Sequence, residues 1–188
     1  MSTNRAMAFI DGENITLRYQ AMLTKDKEPH TSNVCVPDVL AWNPTALNAF
    51  PFLELIRATY YTYAVGSDEQ IEQWKTTIRS IPYTYRSDKG SFTYSGSMYP
   101  KVFKKPQRTA KRKGVDISIT VDTLTHVYNN DIDIVVLMTG DGDYKPLIEA
   151  IMRRGKRVYL AALSDGLNPI LPNLVDLFYC LDSRFFKQ

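Results

Sequence analysis

The chain has 188 residues, 44% of them hydrophobic and 23% charged, with a formal charge of only +3. That is one domain's length and the make-up of a globular protein, not of a disordered or fibrous one. No apolar run approaches the ~20 residues of a membrane span, Met1–Met7 lacks the layout of a signal peptide, and Cys35 and Cys180, with no CxxC and only His30 and His126 beside them, frame neither a disulfide scaffold nor a zinc site, so the expectation is a reduced cytoplasmic protein without a membrane partner.

Ala6–Ile10 is a short apolar run, read as a buried strand that Asp11-Gly12 ends. Glu13–Leu23 reads as a helix. Thr24–Asn43, with Pro29 and Pro37, reads as an inserted loop or hairpin. Pro44–Leu55 reads as a helix on the strength of Pro44 at its start, with Pro51 counting against its middle. Arg57–Val65 is rich in β-formers and reads as a second strand. Ser67 and Gln70 have capping-box spacing, and Ile71, Trp74 and Ile78 then recur at helical spacing. Tyr83–Tyr85 is short enough for a third strand. Ser87–Gly114 mixes Gly, Ser, Tyr and Lys and suits a hairpin or a loop.

Order returns at Val115, where Val115, Ile119, Thr123 and Val127 fall on one helical face. Asp131–Met138 is the clearest buried strand, followed by the loop Thr139–Asp143 and a helix over Tyr144–Arg154 that Gly155 stops. Arg157–Leu163 and Leu174–Leu181 read as closing strands. Strands alternate with helices, and the strands are continuous apolar runs. That pattern predicts a mostly parallel sheet covered on both faces.

The small net charge hides an asymmetry. Arg86–Gly114 holds nine Lys and Arg against one acid, a net +8, so the remainder carries −5. Val115–Asp143 has six acids (Asp116, Asp122, Asp131, Asp133, Asp141, Asp143) and neither Lys nor Arg. In parallel sheets, ligands bind beyond the carboxyl ends of the strands, near the point where strand order reverses. Asp11 follows the first strand, Asp141 and Asp143 follow the most buried one, and Asp116 opens the helix after the basic segment. Each acid taken singly also suits a turn or a helix cap. Together they repel unless a cation neutralises them, and hard oxygen donors suit Mg²⁺ or Mn²⁺. Asp131 and Asp133 belong to the opposite end. Asp122 lies six residues past Asp116, roughly 240° around a helix, and is expected to face away from it.

Four motifs occur in order: Phe9-Ile10-Asp11-Gly12-Glu13-Asn14; Lys113-Gly114-Val115-Asp116; Thr139-Gly140-Asp141-Gly142-Asp143-Tyr144 with Pro146-Leu147; and Gly155-Lys156-Arg157-Val158. Together they resemble the NYN domain of the LabA-like group, in the PIN-like superfamily. The resemblance covers about 6–20 and 111–181 and fades over 24–56 and 86–110. Thr139 stands where the family more often has Ser. The resemblance implies a three-layer α/β/α sandwich, a single domain over 1–188 with insertions near 24–56 and 86–112. It further implies a metal-dependent ribonuclease with Asp11, Asp116, Asp141 and Asp143 around Mg²⁺ or Mn²⁺, and Asn14 as a neutral polar partner.

The complementary half is the basic segment. Lys101, Lys104, Lys105, Arg108, Lys111, Arg112 and Lys113 are candidates to hold an RNA backbone, with Thr139 as a further phosphate contact. Tyr83, Tyr85, Phe92, Tyr94, Tyr99 and Phe103 are candidates to stack on single-stranded bases. The alternative is a non-catalytic RNA-binding module on the same fold. A haloacid-dehalogenase phosphatase fits poorly because Glu13 stands where its second Asp belongs. A sugar-nucleotide transferase, generally larger and without partners for Asp11 and Asp116, also ranks low, and a dinucleotide site lacks GxGxxG. Trp42 and its apolar neighbours are expected either to fold onto the core or to meet a second subunit of a homo-oligomer.

Overall fold

The structure is a computed structural model and describes residues 4–50, 53–86, 93–106 and 114–187. Its elements in chain order are β1 (Arg5–Asp11), α1 (Gly12–Leu23), β2 (Val34–Val36), β3 (Leu40–Trp42), β4 (Glu54–Ala64), α2 (Asp68–Ser80), β5 (Pro82–Arg86), β6 (Thr93–Ser97), β7 (Tyr99–Lys104), α3 (Gly114–Tyr128), β8 (Ile134–Met138), α4 (Lys145–Arg153), β9 (Arg157–Ala162), β10 (Leu177–Cys180) and the single turn α5 (Asp182–Phe185). No helix of the described residues is long and apolar enough to cross a membrane.

Six strands form one sheet in the order β10-β9-β8-β1-β4-β7. Every pairing in it is parallel. From β1 the chain adds β4 and β7 on one side and β8, β9 and β10 on the other, so the order reverses between β1 and β8. That is where the splayed carboxyl ends of parallel strands leave a crevice.

The strands are apolar on both faces because helices cover both. Along β1, Ala6, Ala8 and Ile10 join a core with α1, α2 and the β2–β3 hairpin. Met7 and Phe9 point the other way, into a core with α3 and α4. β8 divides in the same manner, Ile134, Val136 and Met138 against Val135 and Leu137. The two-residue period of a strand thus makes the three-layer α/β/α sandwich. On α3, Val115, Ile119, Thr123 and Val127 are its buried residues, the expected face. The capping box of α2 forms as its spacing predicts, with Ser67 and Gln70 reciprocally bonded. Gly155, at φ 70, ends α4 in the left-handed conformation that glycine adopts without strain.

One expectation is corrected and two are sharpened. Pro44–Leu55 yields only a 3₁₀ turn, Ala46–Ala49, and Glu54 already enters β4 opposite Arg5. Asn43 accepts the Thr45 N–H just before that turn, but pairing with β1 holds the chain extended from Glu54 onward. Tyr83–Tyr85 is a strand, β5, yet it pairs antiparallel with β6 in a separate two-stranded sheet. The basic segment also contributes β7, which lies parallel to β4 and makes the edge of the main sheet. Pro100 is tolerated there because an edge strand has one row of backbone groups without a ladder partner.

The Thr24–Asn43 segment is a hairpin that folds onto the core, with Trp42 and Leu40 wholly buried. The Tyr60 hydroxyl accepts the Ala41 N–H at 3.2 Å and shares a hydrogen bond with the Thr16 hydroxyl, fastening the hairpin to β4 and α1.

Candidate functional site

Asp11 is the last residue of β1 and the N-cap of α1. Its side chain is held from two directions. Oδ1 accepts the Asn14 N–H at 3.0 Å, and Oδ2 accepts the Thr139 hydroxyl at 3.0 Å. Thr139, just past β8, also accepts the Asp141 N–H at 3.2 Å. Asn14 completes the link by accepting the Gly140 N–H on Oδ1 at 3.0 Å. The ends of β1 and β8 are therefore tied by side chains at the point where strand order reverses.

Asp141 caps the next turn by accepting the Asp143 N–H at 2.9 Å. Asp116 lies in the first turn of α3 and accepts the Tyr144 hydroxyl at 3.2 Å on Oδ1. Asp11 is buried, Asp116 and Asp141 are half-buried, and Asp143 is exposed.

The charge balance is unusual. Burial raises the Asp11 carboxyl from 3.8 to about 7, aided by the charges of Asp116 and Glu13 and opposed by the Asn14 and Thr139 hydrogen bonds. Asp116 is also raised, first by burial, then by the charges of Asp141, Glu13 and Asp143. Burial, followed by the charges of Asp11, Asp116 and Asp141, pushes the Tyr144 hydroxyl up. Among the described residues, no Lys or Arg pairs with Asp11, Asp116, Asp141 or Asp143.

The donor chemistry is oxygen only, without His or thiol, which fits a hard divalent cation. Among the described residues, however, no three such side chains close into a ready ligand set. A cation there would draw the carboxylates together and offset both the burial cost of their charges and the repulsion between them.

Sequence reasoning brings Asp11, Asn14, Asp116, Asp141 and Asp143 to one place. It leaves out Tyr144, which directly follows the Asp-Gly-Asp run and orients Asp116, and Glu13, whose charge reaches both Asp11 and Asp116. Thr139 is wholly buried with its hydroxyl committed, so it orders the loop and faces no ligand. Thr139→Val is accordingly expected to orphan Asp11 Oδ2 and the Asp141 N–H. The cost is about 1–3 kcal/mol in urea unfolding, whereas Thr139→Ser keeps the hydroxyl and most of the stability. Equal stability of Thr139→Val and the parent would contradict this clamp.

The basic residues behave differently from a free patch. Lys101 donates to Asp122 at 2.5 Å, Lys104 to Asp68 at 2.6 Å, and Lys105 to Glu13. Asp122 takes no part in the aspartate cluster: it also accepts the Tyr61 hydroxyl at 2.7 Å, on the side where β7 and β4 flank α3. Arg108, Lys111, Arg112 and Lys113 lie outside the described residues, as does Phe92. Tyr83 is buried, Tyr85 stacks on Tyr94, and Phe103 packs against Tyr63. Tyr94 and Tyr99 are exposed, the latter under Arg57.

Comparison with known proteins adds the family. A stretch of 71 residues is 31% identical to an uncharacterized protein of Methanocaldococcus jannaschii, covering 38% of this chain and 30% of that protein's length. A protein of unknown function from Vibrio parahaemolyticus shares the fold, with a TM-score of 0.62 over 100% of this chain and 99% of that one at 19% identity. The sequence signature described as NYN domain matches residues 5–182, across both segments where the four motifs are silent. This chain therefore belongs to the NYN domain family, a branch of the PIN-like superfamily whose members are generally nucleases using divalent metals.

Proposed function

We propose that this protein is a ribonuclease that hydrolyses phosphodiester bonds of single-stranded RNA with Mg²⁺ or Mn²⁺. One observation carries the reading. A buried carboxyl, Asp11, sits with Asp116, Asp141 and Asp143 beyond the carboxyl ends of β1 and β8, and no cationic side chain among the described residues neutralises them. These four aspartates would hold the ion. When bound, a divalent cation supplies charge for the phosphate oxygens and acidifies adjacent water.

The chain's own groups have distinct tasks. Asn14 is fixed by Gly140, and its Nδ2–H₂ has no partner among the described residues, so it can donate to a phosphate oxygen without adding charge. Tyr144 fixes Asp116 through Oδ1 and leaves Oδ2 unshared among the described residues, to hold the ion directly or through a water. Thr139 and the Asn14 N–H hold the Asp11 carboxylate in one orientation. Arg108, Lys111, Arg112 and Lys113, next to Gly114 in sequence, supply sequence-independent attraction for the RNA backbone, as does the half-exposed Lys104.

The test is labelled single-stranded RNA incubated with Mn²⁺, with Mg²⁺ or with EDTA, and with Asp141→Asn alongside. The Asn keeps the cap on Asp143 but removes a charge. Cleavage with either metal, lost in EDTA and reduced about a hundredfold or more in the variant, is expected. Cleavage that survives both changes would sink the metal mechanism. Salt-sensitive RNA retention without cleavage would make the protein a binding module instead.

A further inference from the structure

A cavity of about 200 Å³ lies beside the aspartates and is lined by Glu13, Leu17, Val39, Tyr63, Trp74 and Lys105 among others. It opens where β4 and β7 end and α1 begins. Its walls are shared with the site. Glu13 is the residue after Gly12 in α1, and its charge reaches Asp11 and Asp116. The Tyr63 hydroxyl accepts the Val115 N–H at 3.1 Å, beside Asp116 in α3.

The side chains in this cavity are unusual for plain packing. Lys105 is 9% exposed, and a lysine is seldom buried so far. Its ammonium rests 4.0 Å from the Tyr63 ring centre and donates to Glu13. On α2, Ile71 and Ile78 enter the core, while Trp74 between them stays half-buried and lines the cavity. The result is an indole and aliphatic walls around the Glu13 carboxylate and the Lys105 ammonium held side by side, with Asp38 also in the lining. Single-stranded RNA is recognised by bases stacked on aromatic side chains with their Watson–Crick edges hydrogen-bonded.

We propose that this cavity is a nucleobase subsite that takes guanine next to the phosphodiester site, an inference that rests on the ribonuclease reading above. Guanine matches the pair fully. Its N1–H and N2–H donate to the two oxygens of Glu13, and its O6 accepts from Lys105, which has donors left beyond its bond to Glu13. Adenine, cytosine and uracil each satisfy this pair with one hydrogen bond fewer. Trp74 and Leu17 supply the faces against which the ring lies.

The full chain in EDTA is titrated with 5′-GMP, AMP, CMP and UMP while tryptophan fluorescence is recorded. The chain has two tryptophans, and Trp42 is wholly buried, so Trp74 reports. GMP is expected to quench at about tenfold lower concentration than the other three. Glu13→Gln is expected to erase that preference. Trp74→Phe is expected to lose the signal while calorimetry still detects GMP. Absence of quenching by any nucleotide at millimolar concentration overturns the subsite, and equal quenching by all four overturns the guanine assignment. The two readings fail separately. GMP binding by a chain that never cleaves RNA removes the nuclease and keeps the pocket, whereas cleavage without GMP binding does the reverse.

Discussion

At pH 8 in EDTA, Asp11→Asn is expected to melt roughly 5–15 °C above the parent chain while RNA cleavage with metal falls about a hundredfold or more. The reason is linkage. The folded Asp11 holds its proton up to about 7, against an ordinary 3.8. Below about pH 4 both folded and unfolded chains keep that proton, and the residue favours neither. Between about 4 and 7 the unfolded chain releases it and the folded chain does not, so stability declines as pH rises. Above about 7 the loss is complete and constant. Three pH units at about 1.36 kcal/mol each set a ceiling of about 4 kcal/mol, of which Asn should recover about 2–4. Asn also keeps the geometry: its oxygen can accept from Asn14, and its amide can donate to Thr139. Near pH 4 the two chains should melt together. Mg²⁺ or Mn²⁺ should raise the melting temperature of the parent at pH 8 and leave the variant nearly unmoved. Identical melting of both chains at pH 8 without metal would mean that Asp11 carries no such penalty.

Gly12→Ala should have the largest effect on folding, a loss of about 3 kcal/mol or more. A Cβ at this position would lie 2.1 Å from Tyr60 Cε1 and 2.7 Å from the Tyr61 carbonyl oxygen. Neither can retreat. Tyr60 is wholly buried and anchors the hairpin through its hydroxyl, and both tyrosines are locked in the ladder opposite Ile10 and Asp11. The substitution should lower the urea midpoint with little change in slope. A midpoint within about 0.5 kcal/mol of the parent would show that α1 can shift away from β4. Glycine here does more than end a strand: it lets α1 start against β4, which sets where Asp11 and Glu13 stand.

Local pattern made much of this visible in advance. The α3 face, the continuous apolar run of β8 and the Ser67–Gln70 box each depend on residues a few positions apart, and each formed. The aspartates were legible because acids after buried strands have few structural uses in combination. β7 was not legible, since Pro100, Lys101 and Lys104 resemble a solvated loop until β4 is present to pair with them. The lysine partners were hidden for a related reason. Lys105 finds Glu13 across 92 residues, Lys104 finds Asp68 across 36, and Lys101 finds Asp122 across 21. No local rule reports an ion pair at such separation. Tyr144 stood in plain view beside the aspartates, but its role depends on α3 packing against the loop after β8.

The lysines of β7 carry one more consequence. The strand ends the sheet, and an open parallel edge is a template onto which another chain can add. Pro100 removes one donor from that strand, and Lys101 and Lys104, with Lys105 just beyond its end, are pinned to α3, α2 and α1. A foreign strand would have to approach past these side chains, and stripping them away would break three ion pairs. The basic stretch that reads in the sequence as a nucleic-acid contact also places a proline and charged side chains on the open edge of the sheet, features that disfavour strand addition there.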